Sequence, residues 1–216
     1  MTVTKPEPVS QGKARLTSAI ALLVWFGVVL QLVLSLQLAA ANGKSIGQGL
    51  IVYFGFFTVL TNILVGLTLT WPLAAPRSRF GQFFAGASLR AAVAGNILFV
   101  GIAYHLLLRH IWQPQGWQWL ADMLLHYATP AIYSLYWGLT RPKTPLSWTD
   151  PLLWCLYPAA YFAYALARGP LVNNYPYPFI DVTTLGYGQT LLNALAMMVA
   201  FYLLSLMLVA ATKLRN

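Results

Sequence analysis

Six long runs of apolar residues alternate with short polar stretches along the chain. A hydrocarbon core of about 30 Å is crossed by roughly 20 helical residues, and the runs have about this length. The predicted helices cover residues 16–41, 48–71, 88–108, 118–140, 151–167 and 186–212. The pattern therefore predicts an all-α polytopic membrane protein whose single domain, residues 1–216, is a bundle of six transmembrane helices.

Composition strengthens this interpretation and narrows the chemistry. Of the 216 residues, 59% are hydrophobic and only 8% are charged, whereas soluble domains carry about 25% charged residues. The first run is too long for the apolar region of a signal peptide and lacks a clear cleavage site. The single cysteine, Cys155, excludes an internal disulfide, and three scattered histidines with few acids predict neither a metal site nor a cofactor.

The net charge of +9 would suggest nucleic acid in a soluble protein, but here the basic residues lie in short loops and at the termini. With the N-terminus inside, the connections divide the basic residues nine to three, and positive-inside bias then places both termini in the cytoplasm. The sequence thus predicts a multi-pass protein of the cell membrane, with membrane lipids and no nucleic acid as partners. The inner group is Lys5, Lys13, Arg15, Arg77, Arg79, Arg141, Lys143, Lys213 and Arg215; the outer group is Lys44, Arg109 and Arg168.

The fourth predicted helix carries ionisable residues well inside an apolar run. Asp122, His126, Pro130 and Tyr133 follow one another at steps of four, four and three, which places them along one stripe of a helix. Pro130 has no N–H and leaves the carbonyl of His126 without its usual partner. Ionisable groups inside a membrane are costly and usually mark a functional interior, although an interhelical structural role is the simpler alternative for a single histidine.

The second predicted helix brings a hydroxyl to a similar depth. Thr58 and Asn62 are four residues apart on one face, and Thr58 lies about ten residues, roughly 15 Å, from the outer end. His126 lies about eight residues, roughly 12 Å, from the outer end of its own helix. The simpler interpretation of Thr58, Asn62 and Asn193 is that they hold helices together by hydrogen bonds. The alternative is that they converge with Asp122 and His126 on a polar cavity in the outer half of the bundle.

The longest internal connection, residues 168–185, is predicted to lie outside. Its alternation of proline and tyrosine excludes a helix, because each proline restricts the residue before it. Tyr175, Tyr177 and Asp181 are candidate residues of a lid or lateral gate. The alternative is that the tyrosine rings anchor the loop at the membrane interface.

Three of these motifs together resemble the bacterial Pr-six-Pr membrane proteins and, more distantly, the eukaryotic androgen-induced and androgen-dependent TFPI-regulating proteins. The resemblance covers helices two to six, and its specificity lies in the order and placement of the motifs. The matching segments are Phe57-Thr58 with Asn62, Leu125-His126-Tyr127-Ala128-Thr129-Pro130, and Tyr175-Pro176-Tyr177-Pro178-Phe179.

The resemblance implies an intramembrane threonine hydrolase of lipid esters, similar to enzymes that cleave fatty acid esters of hydroxy fatty acids. It points to Thr58 as the nucleophile and His126 as the base. The eukaryotic proteins carry an Asn before the histidine, where this chain has Leu125, and their loop motif also differs. Chemically, a histidine can activate a threonine hydroxyl, Asp122 can orient the imidazole, and Asn62 can donate to an oxyanion.

Two questions remain open at the level of sequence. Thr61, one turn along from Thr58, is a competing nucleophile. A bundle of this kind can also be a non-catalytic carrier or binding protein for a lipid or small hydrophobic ligand, or an accessory subunit whose polar residues only lock helices together. Neither a Gly-x-Ser-x-Gly elbow nor a His-Glu-x-x-His zinc helix occurs, and the threonine–histidine pair is the chemistry that the resemblance implies.

Overall fold

A computed structural model describes residues 11–141 and 145–214 and shows an all-helical protein. Within these residues there is no β-strand. Four helices are long and apolar enough to cross a membrane: Gln11–Ala41, Phe57–Ala74, Ala87–Leu108 and Val182–Lys213. The all-α class is thus confirmed, and the four long apolar helices are compatible with a membrane protein. Of the charges used above for orientation, Lys5, Lys143 and Arg215 lie outside the described residues.

The remaining elements are shorter or are divided by a change of helix type. Both π-helical turns continue an α-helix without a break in the helical path, so residues 116–140 form one continuous helical segment. The elements in order are α1 (Gln11–Ala41), α2 (Ile46–Tyr53), α3 (Phe57–Ala74), α4 (Arg79–Ala85), α5 (Ala87–Ala103), a π turn (Tyr104–Leu108), α6 (Gly116–Met123), a second π turn (Leu124–Ala128), α7 (Thr129–Thr140), α8 (Asp150–Trp154), α9 (Leu156–Val172), a 3₁₀ turn (Pro178–Ile180) and α10 (Val182–Lys213).

The prediction of one helix over residues 48–71 is wrong, because the structure divides this run into α2 and α3. The break at residues 54–56 frees carbonyl groups at the end of α2, and side chains of α9 satisfy them. Arg168 donates from Nε to the carbonyl of Ile51 (3.2 Å), and the Tyr161 hydroxyl donates to the carbonyl of Gly55 (2.9 Å). Interior partners of this kind are what non-helical backbone at membrane depth requires.

The fifth predicted helix, 151–167, also has different bounds in the structure. The chain forms α8 first, turns at Cys155, and then continues as α9 to Val172. Pro158 lacks the N–H that would bond the carbonyl of Trp154, which accounts for the interruption. The extension of α9 places Arg168 inside the helix, where its side chain is buried, and not in an outer loop as predicted.

Polar contacts and small residues hold the central helices together, as is usual where lipid removes the hydrophobic drive for helix association. The Thr17 hydroxyl of α1 lies 2.8 Å from the Tyr136 hydroxyl of α7. Gly66 of α3 admits the Trp25 ring of α1, since a β-carbon there would lie 2.7 Å from the indole. Such close approaches hold α1, α3 and the 116–140 segment together.

Gly101 makes a similar approach on α5. A β-carbon there would lie 3.0 Å from Pro130 and 3.2 Å from the carbonyl oxygen of His126. The freed carbonyl predicted from Pro130 is therefore packed against the glycine of a neighbouring helix. The π turn at residues 124–128 widens the helix at the same level, and a π turn of this kind is common at functional sites.

The loop between α9 and α10 has a defined path. Asn173 takes the left-handed conformation (φ 48°) at the end of α9, and Asp181 caps the start of α10. Gly186, with φ 72° and ψ 164°, bends α10 one turn after its start, a backbone conformation that favours glycine. Between these points the segment 175–180 turns inward and delivers Tyr177 to the interior.

Candidate functional site

Asp122 and His126 form a contact one helical turn apart on the 116–140 segment. The imidazole Nδ1 lies 3.0 Å from Asp122 Oδ1 and 3.2 Å from the Asp122 carbonyl oxygen. Because that carbonyl can only accept, Nδ1 is the protonated nitrogen of the neutral ring, and Nε2 carries the lone pair. Among the described residues Nε2 has no hydrogen-bond partner, so it is available as a base.

Tyr104 completes this cluster from the neighbouring helix. Its hydroxyl donates to Asp122 Oδ2 (2.5 Å), and its ring stacks on the His126 ring with centroids 3.9 Å apart and planes 16° apart. One side chain thus fixes both the carboxylate and the imidazole. Tyr104 begins the first π turn, Tyr104–Leu108, which faces the turn that contains His126. Tyr104 could not be predicted from the sequence, because one tyrosine among 12 carries no signal of its own.

Thr58 lies in the first turn of α3 and contacts Tyr177 of the loop. The helix has no side-chain cap of its own at Phe56. The Tyr177 hydroxyl takes that place: it accepts from the backbone N–H of Thr58 (3.2 Å) and lies 3.3 Å from Thr58 Oγ1. Thr58 is therefore held at the start of a helix inside the protein. The positive end of the helix dipole there faces the tyrosine oxygen.

Two cavities meet at Thr58. The first has a volume of about 290 Å³ and is lined almost entirely by apolar side chains of α5, α9 and α10. The second, of about 310 Å³, is also lined mainly by apolar side chains, but it includes the polar side chains of Gln31, Gln118, Asp122 and His126. Four residues line both cavities and form the wall between them: Thr58, Tyr104, Leu108 and Tyr177.

Thr58 and His126 share the second cavity but are not hydrogen-bonded to each other. Thr58 Oγ1 instead contacts the Tyr177 hydroxyl. In this structure the threonine hydroxyl is therefore paired with the tyrosine and not with the imidazole. The geometry brings together a hydroxyl, an oriented imidazole and a cavity between them. Transfer of the Thr58 proton to His126 requires that Tyr177 releases the hydroxyl.

Asn62 does not have the role that the sequence predicted. Both hydrogens of Nδ2 are used, one on the carbonyl of Thr58 (2.8 Å) and one on the carbonyl of Leu125 (3.2 Å). Because both partners are acceptors, no donor of Asn62 remains for an oxyanion. Asn62 instead ties the first turn of α3 to the π turn that carries His126. This contact fixes the two candidate residues relative to each other.

Asn193 and Tyr133 also lie away from the cavities, contrary to the prediction that they support the site. Asn193 donates from Nδ2 to the carbonyl of Phe179 (3.0 Å) and accepts from Gln189, so it anchors the loop. Tyr133 is fully buried towards the other end of the bundle, with its hydroxyl 2.9 Å from that of Thr68. The four residues lie along one helical segment as predicted, but only Asp122 and His126 line the second cavity.

The three candidate gate residues have three different roles. Tyr177 is buried between the two cavities. Tyr175 packs on Gly169 near the end of α9 and lines neither cavity. Asp181 caps α10 through bonds from the backbone and hydroxyl of Thr183, and the hydroxyl bond lowers the pKa of Asp181. The proposed gate function therefore rests on Tyr177, while Asp181 is a helix cap.

Thr61, the competing nucleophile, is completely buried and points away from both cavities. Its hydroxyl donates to the carbonyl of Phe57 (2.8 Å) and lies 3.1 Å from the Tyr157 hydroxyl of α9. These contacts give Thr61 a structural role between α3 and α9. In the part of the chain that the structure describes, no group of three or more His, Cys, Asp or Glu residues is arranged to hold a metal ion.

Comparison with known proteins adds no further constraint. No family model matches the chain, and no curated protein or solved structure is significantly similar to it. The function of the site is therefore argued from its geometry and chemistry.

Proposed function

We propose that this protein is an intramembrane hydrolase of lipid esters, with Thr58 as the nucleophile and His126 as the base. The observation that carries the proposal is the position of Thr58. Its hydroxyl stands in the wall between an almost wholly apolar cavity and a second cavity, and the second cavity holds an imidazole whose Nδ1 is fixed by Asp122. A substrate with an ester between apolar and polar parts fits this arrangement.

The reaction follows the pattern of a histidine-activated hydroxyl nucleophile. His126 Nε2 takes the proton from Thr58 as Oγ1 bonds to the ester carbonyl carbon. The tetrahedral intermediate then expels the alcohol, which receives the proton from His126, and an acyl ester of Thr58 remains. His126 next takes a proton from water, the resulting hydroxide attacks the acyl carbon, and Thr58 leaves with a proton as the carboxylic acid is released.

The oxyanion of this intermediate has two donors in place of Asn62. The backbone N–H of Thr58 already donates to an oxygen, that of Tyr177, and the Tyr177 hydroxyl is itself a donor beside Oγ1. We propose that the substrate carbonyl displaces the tyrosine oxygen from the N–H and that the displaced hydroxyl then donates to the same carbonyl. Donors aimed at developing charge contribute most to acyl transfer.

The same proposal includes the finer topology: six transmembrane helices, both termini cytoplasmic, in the cell membrane. The segment of residues 116–140 and the helix Leu156–Val172 are the two further spans beside the four long apolar helices. Thr58 and His126 then lie in the outer half of the membrane. Lipid esters reach them laterally, and the resemblance to the Pr-six-Pr proteins assigns the two residues the same roles.

A second candidate is a non-catalytic carrier or binding protein for a lipid or small hydrophobic ligand. The observation that favours it is the Thr58–Tyr177 contact, which occupies the hydroxyl that a hydrolase would use. A carrier needs the two cavities but not the Asp122–His126 contact. Saturable binding of a fluorescent fatty acyl ester without release of acid would support the carrier.

The test is hydrolysis of long-chain fatty acyl esters by the purified protein in lipid nanodiscs. We expect Thr58→Ala and His126→Ala each to abolish turnover, and the double variant to be no worse than either, because residues that act as a unit are non-additive. Thr58→Ser should keep part of the activity. Thr61→Ala is the matched control, since it removes a buried threonine hydroxyl from the same helix outside the cavities. Turnover that survives Thr58→Ala but is lost in Thr61→Ala would reassign the nucleophile.

A further inference from the structure

The two cavities differ in chemistry on opposite sides of the same hydroxyl. The side chains found only in the first cavity are apolar except for the tyrosine Tyr161, and they include Phe99, Phe201 and Met198. The second cavity alone contains the carboxylate, the imidazole and two glutamine side chains. A bound ester therefore has one preferred direction, because burying a polar group in the first cavity would leave it without partners.

The cavities also open in different places. Leu195, which lines the first cavity, is 60% exposed on the surface of the apolar helix α10. Ile111 and Trp112, which line the second, are 64% and 48% exposed in the connection between the first π turn and α6. The first cavity thus reaches the surface that faces lipid, and the second reaches the end of the bundle.

We infer that the acyl chain of the substrate binds in the first cavity and the alcohol part, which carries a polar group, binds in the second. This inference rests on the proposed hydrolase function and adds the direction of binding and the substrate class: esters of an acyl chain without polar substituents with a polar alcohol. The water that releases the acyl group from Thr58 then arrives through the second cavity, where His126 can deprotonate it.

Size limits the acyl chain. A methylene group is about as large as a water molecule, whose share of liquid volume is about 30 Å³. The first cavity, at about 290 Å³, is nevertheless near the small end of the range of ligand pockets, about 300–1,000 Å³, so it encloses only the first part of a long acyl chain. Longer chains extend past Leu195 into the membrane, so each further carbon changes kcat/KM little.

The polar side of the inference rests on Gln118 and Gln31. Gln118 donates from Nε2 to Gln31 Oε1 (2.8 Å), and Gln31 donates from Nε2 to Ser35 Oγ (3.1 Å). The pair is thereby oriented, and among the described residues the Oε1 atom of Gln118 has no donor. A hydroxyl on the alcohol part supplies such a donor.

The test uses two isomeric esters, ethyl octanoate and octyl acetate, which have the same atoms but opposite ester directions. In Ala194→Phe the new ring fills the first cavity. We expect kcat/KM for ethyl octanoate to fall about tenfold or more, since even one methylene in an apolar pocket changes kcat/KM by about this factor. The value for octyl acetate should stay within about twofold, which also shows that the variant is folded.

The matched control is Ala196→Phe, which adds the same ring to the same helix at an exposed position that lines neither cavity. It should leave both esters unchanged. Ala159→Phe fills the first cavity from α9 and replaces Ala194→Phe if that variant does not fold. Loss of octyl acetate turnover alone, or equal effects on both isomers, would overturn the assignment of the two parts.

Gln118→Leu tests the other cavity. We expect it to lower the preference for octanoyl glycerol over ethyl octanoate, because the glycerol hydroxyls lose their acceptor. An unchanged preference would contradict the role of the second cavity. If the wild-type protein hydrolyses none of these esters, the proposed hydrolase function itself fails, which is a different result from hydrolysis without direction.

Discussion

At the scale of single residues, Tyr104 links the two groups that prepare the base. Its hydroxyl holds the carboxylate of Asp122 and its ring covers the imidazole of His126, so it acts through them and not on the substrate carbonyl. A histidine base depends on such partners for tautomer and orientation. Tyr104 is therefore a positioning residue whose two contacts can be removed separately.

Tyr104→Phe removes the hydroxyl and keeps the stacked ring. A hydrogen bond to a charged group contributes about 1.5–3 kcal/mol, so we expect kcat to fall by about tenfold or more while KM changes little. Steady-state kinetics on a long-chain ester measure this. The effect should not add to that of Asp122→Asn, because both changes act on the same carboxylate.

Tyr53→Phe is the matched control for this experiment. Tyr53 is also a buried tyrosine, and its hydroxyl donates to the carbonyl of Val28 (2.8 Å) and not to Asp122 or His126. It should lower stability by about 1 kcal/mol and leave kcat unchanged. Equal losses of kcat in the two variants would mean that Tyr104 has only a structural role.

Part of this site was predictable from sequence and part was not. The spacing of Asp122 and His126 predicts their contact, because residues four apart share a helix face. The partners from other helices, Tyr104 and Tyr177, depend on packing that no local pattern encodes. For Asn62 the position near the site was predicted correctly, but the role was not. Both of its donors bond to backbone carbonyls, of Thr58 and Leu125. A sequence does not show which backbone carbonyls lack a partner.

At the scale of elements, the break between α2 and α3 creates the site. An unbroken helix would bury the N–H of Thr58 in its own ladder, whereas the break leaves this group for Tyr177. Hydropathy predicts the run correctly as apolar but gives no sign of the break, because Tyr53-Phe54-Gly55-Phe56 contains no proline. The explanation lies on α9, where Arg168 and Tyr161 donate hydrogen bonds to the freed carbonyls.

Arg168→Lys tests the break. Arg168 donates to Ile51 through Nε and to Asn174 through Nη1 (3.0 Å), a fork that the single nitrogen of lysine cannot reproduce. We expect a lower apparent unfolding temperature in detergent, corresponding to a loss of about 2 kcal/mol. Arg109→Lys, at an exposed arginine, should change it little. Equal unfolding temperatures for Arg168→Lys and the wild type would show that the break does not depend on this fork.

Replacement of Asp181 tests whether this residue of the loop acts as a helix cap or as a gate. The hydrogen bond from the Thr183 hydroxyl lowers the pKa of Asp181 in the folded protein. The ionised carboxylate therefore stabilises the fold fully above the ordinary carboxyl pKa of about 4. This stabilisation is lost as the pH falls through the folded-state pKa. Asp181→Ala should cost about 1 kcal/mol at neutral pH. The difference from wild type should shrink below about pH 4, as measured by thermal unfolding. Turnover should persist, which separates a helix cap from a gate.

At the scale of the whole molecule, the burial of Arg168 changes the count of charges behind the predicted orientation. Nine basic residues were assigned to the inner side and three to the outer side, and the structure removes Arg168 from the outer group, which leaves Lys44 and Arg109. Positive-inside bias depends on charges in short connections, not on an arginine within a helix. Lys13, Arg15 and Lys213 of the inner group also lie within helices, so the orientation stays a prediction.

Cysteine accessibility tests this topology with Lys44→Cys and Arg77→Cys in a Cys155→Ala background. Lys44 lies between α1 and α2 and Arg77 between α3 and α4, so one membrane crossing separates them and they must react from opposite sides. We expect an impermeant maleimide applied to intact cells to label Lys44→Cys, and to label Arg77→Cys only after permeabilisation. The reverse pattern would place Thr58, near the start of α3, in the inner half of the membrane. The second cavity, at the same end of the bundle, would then open to the cytoplasm, and the hydrolase would act on lipids of the inner leaflet.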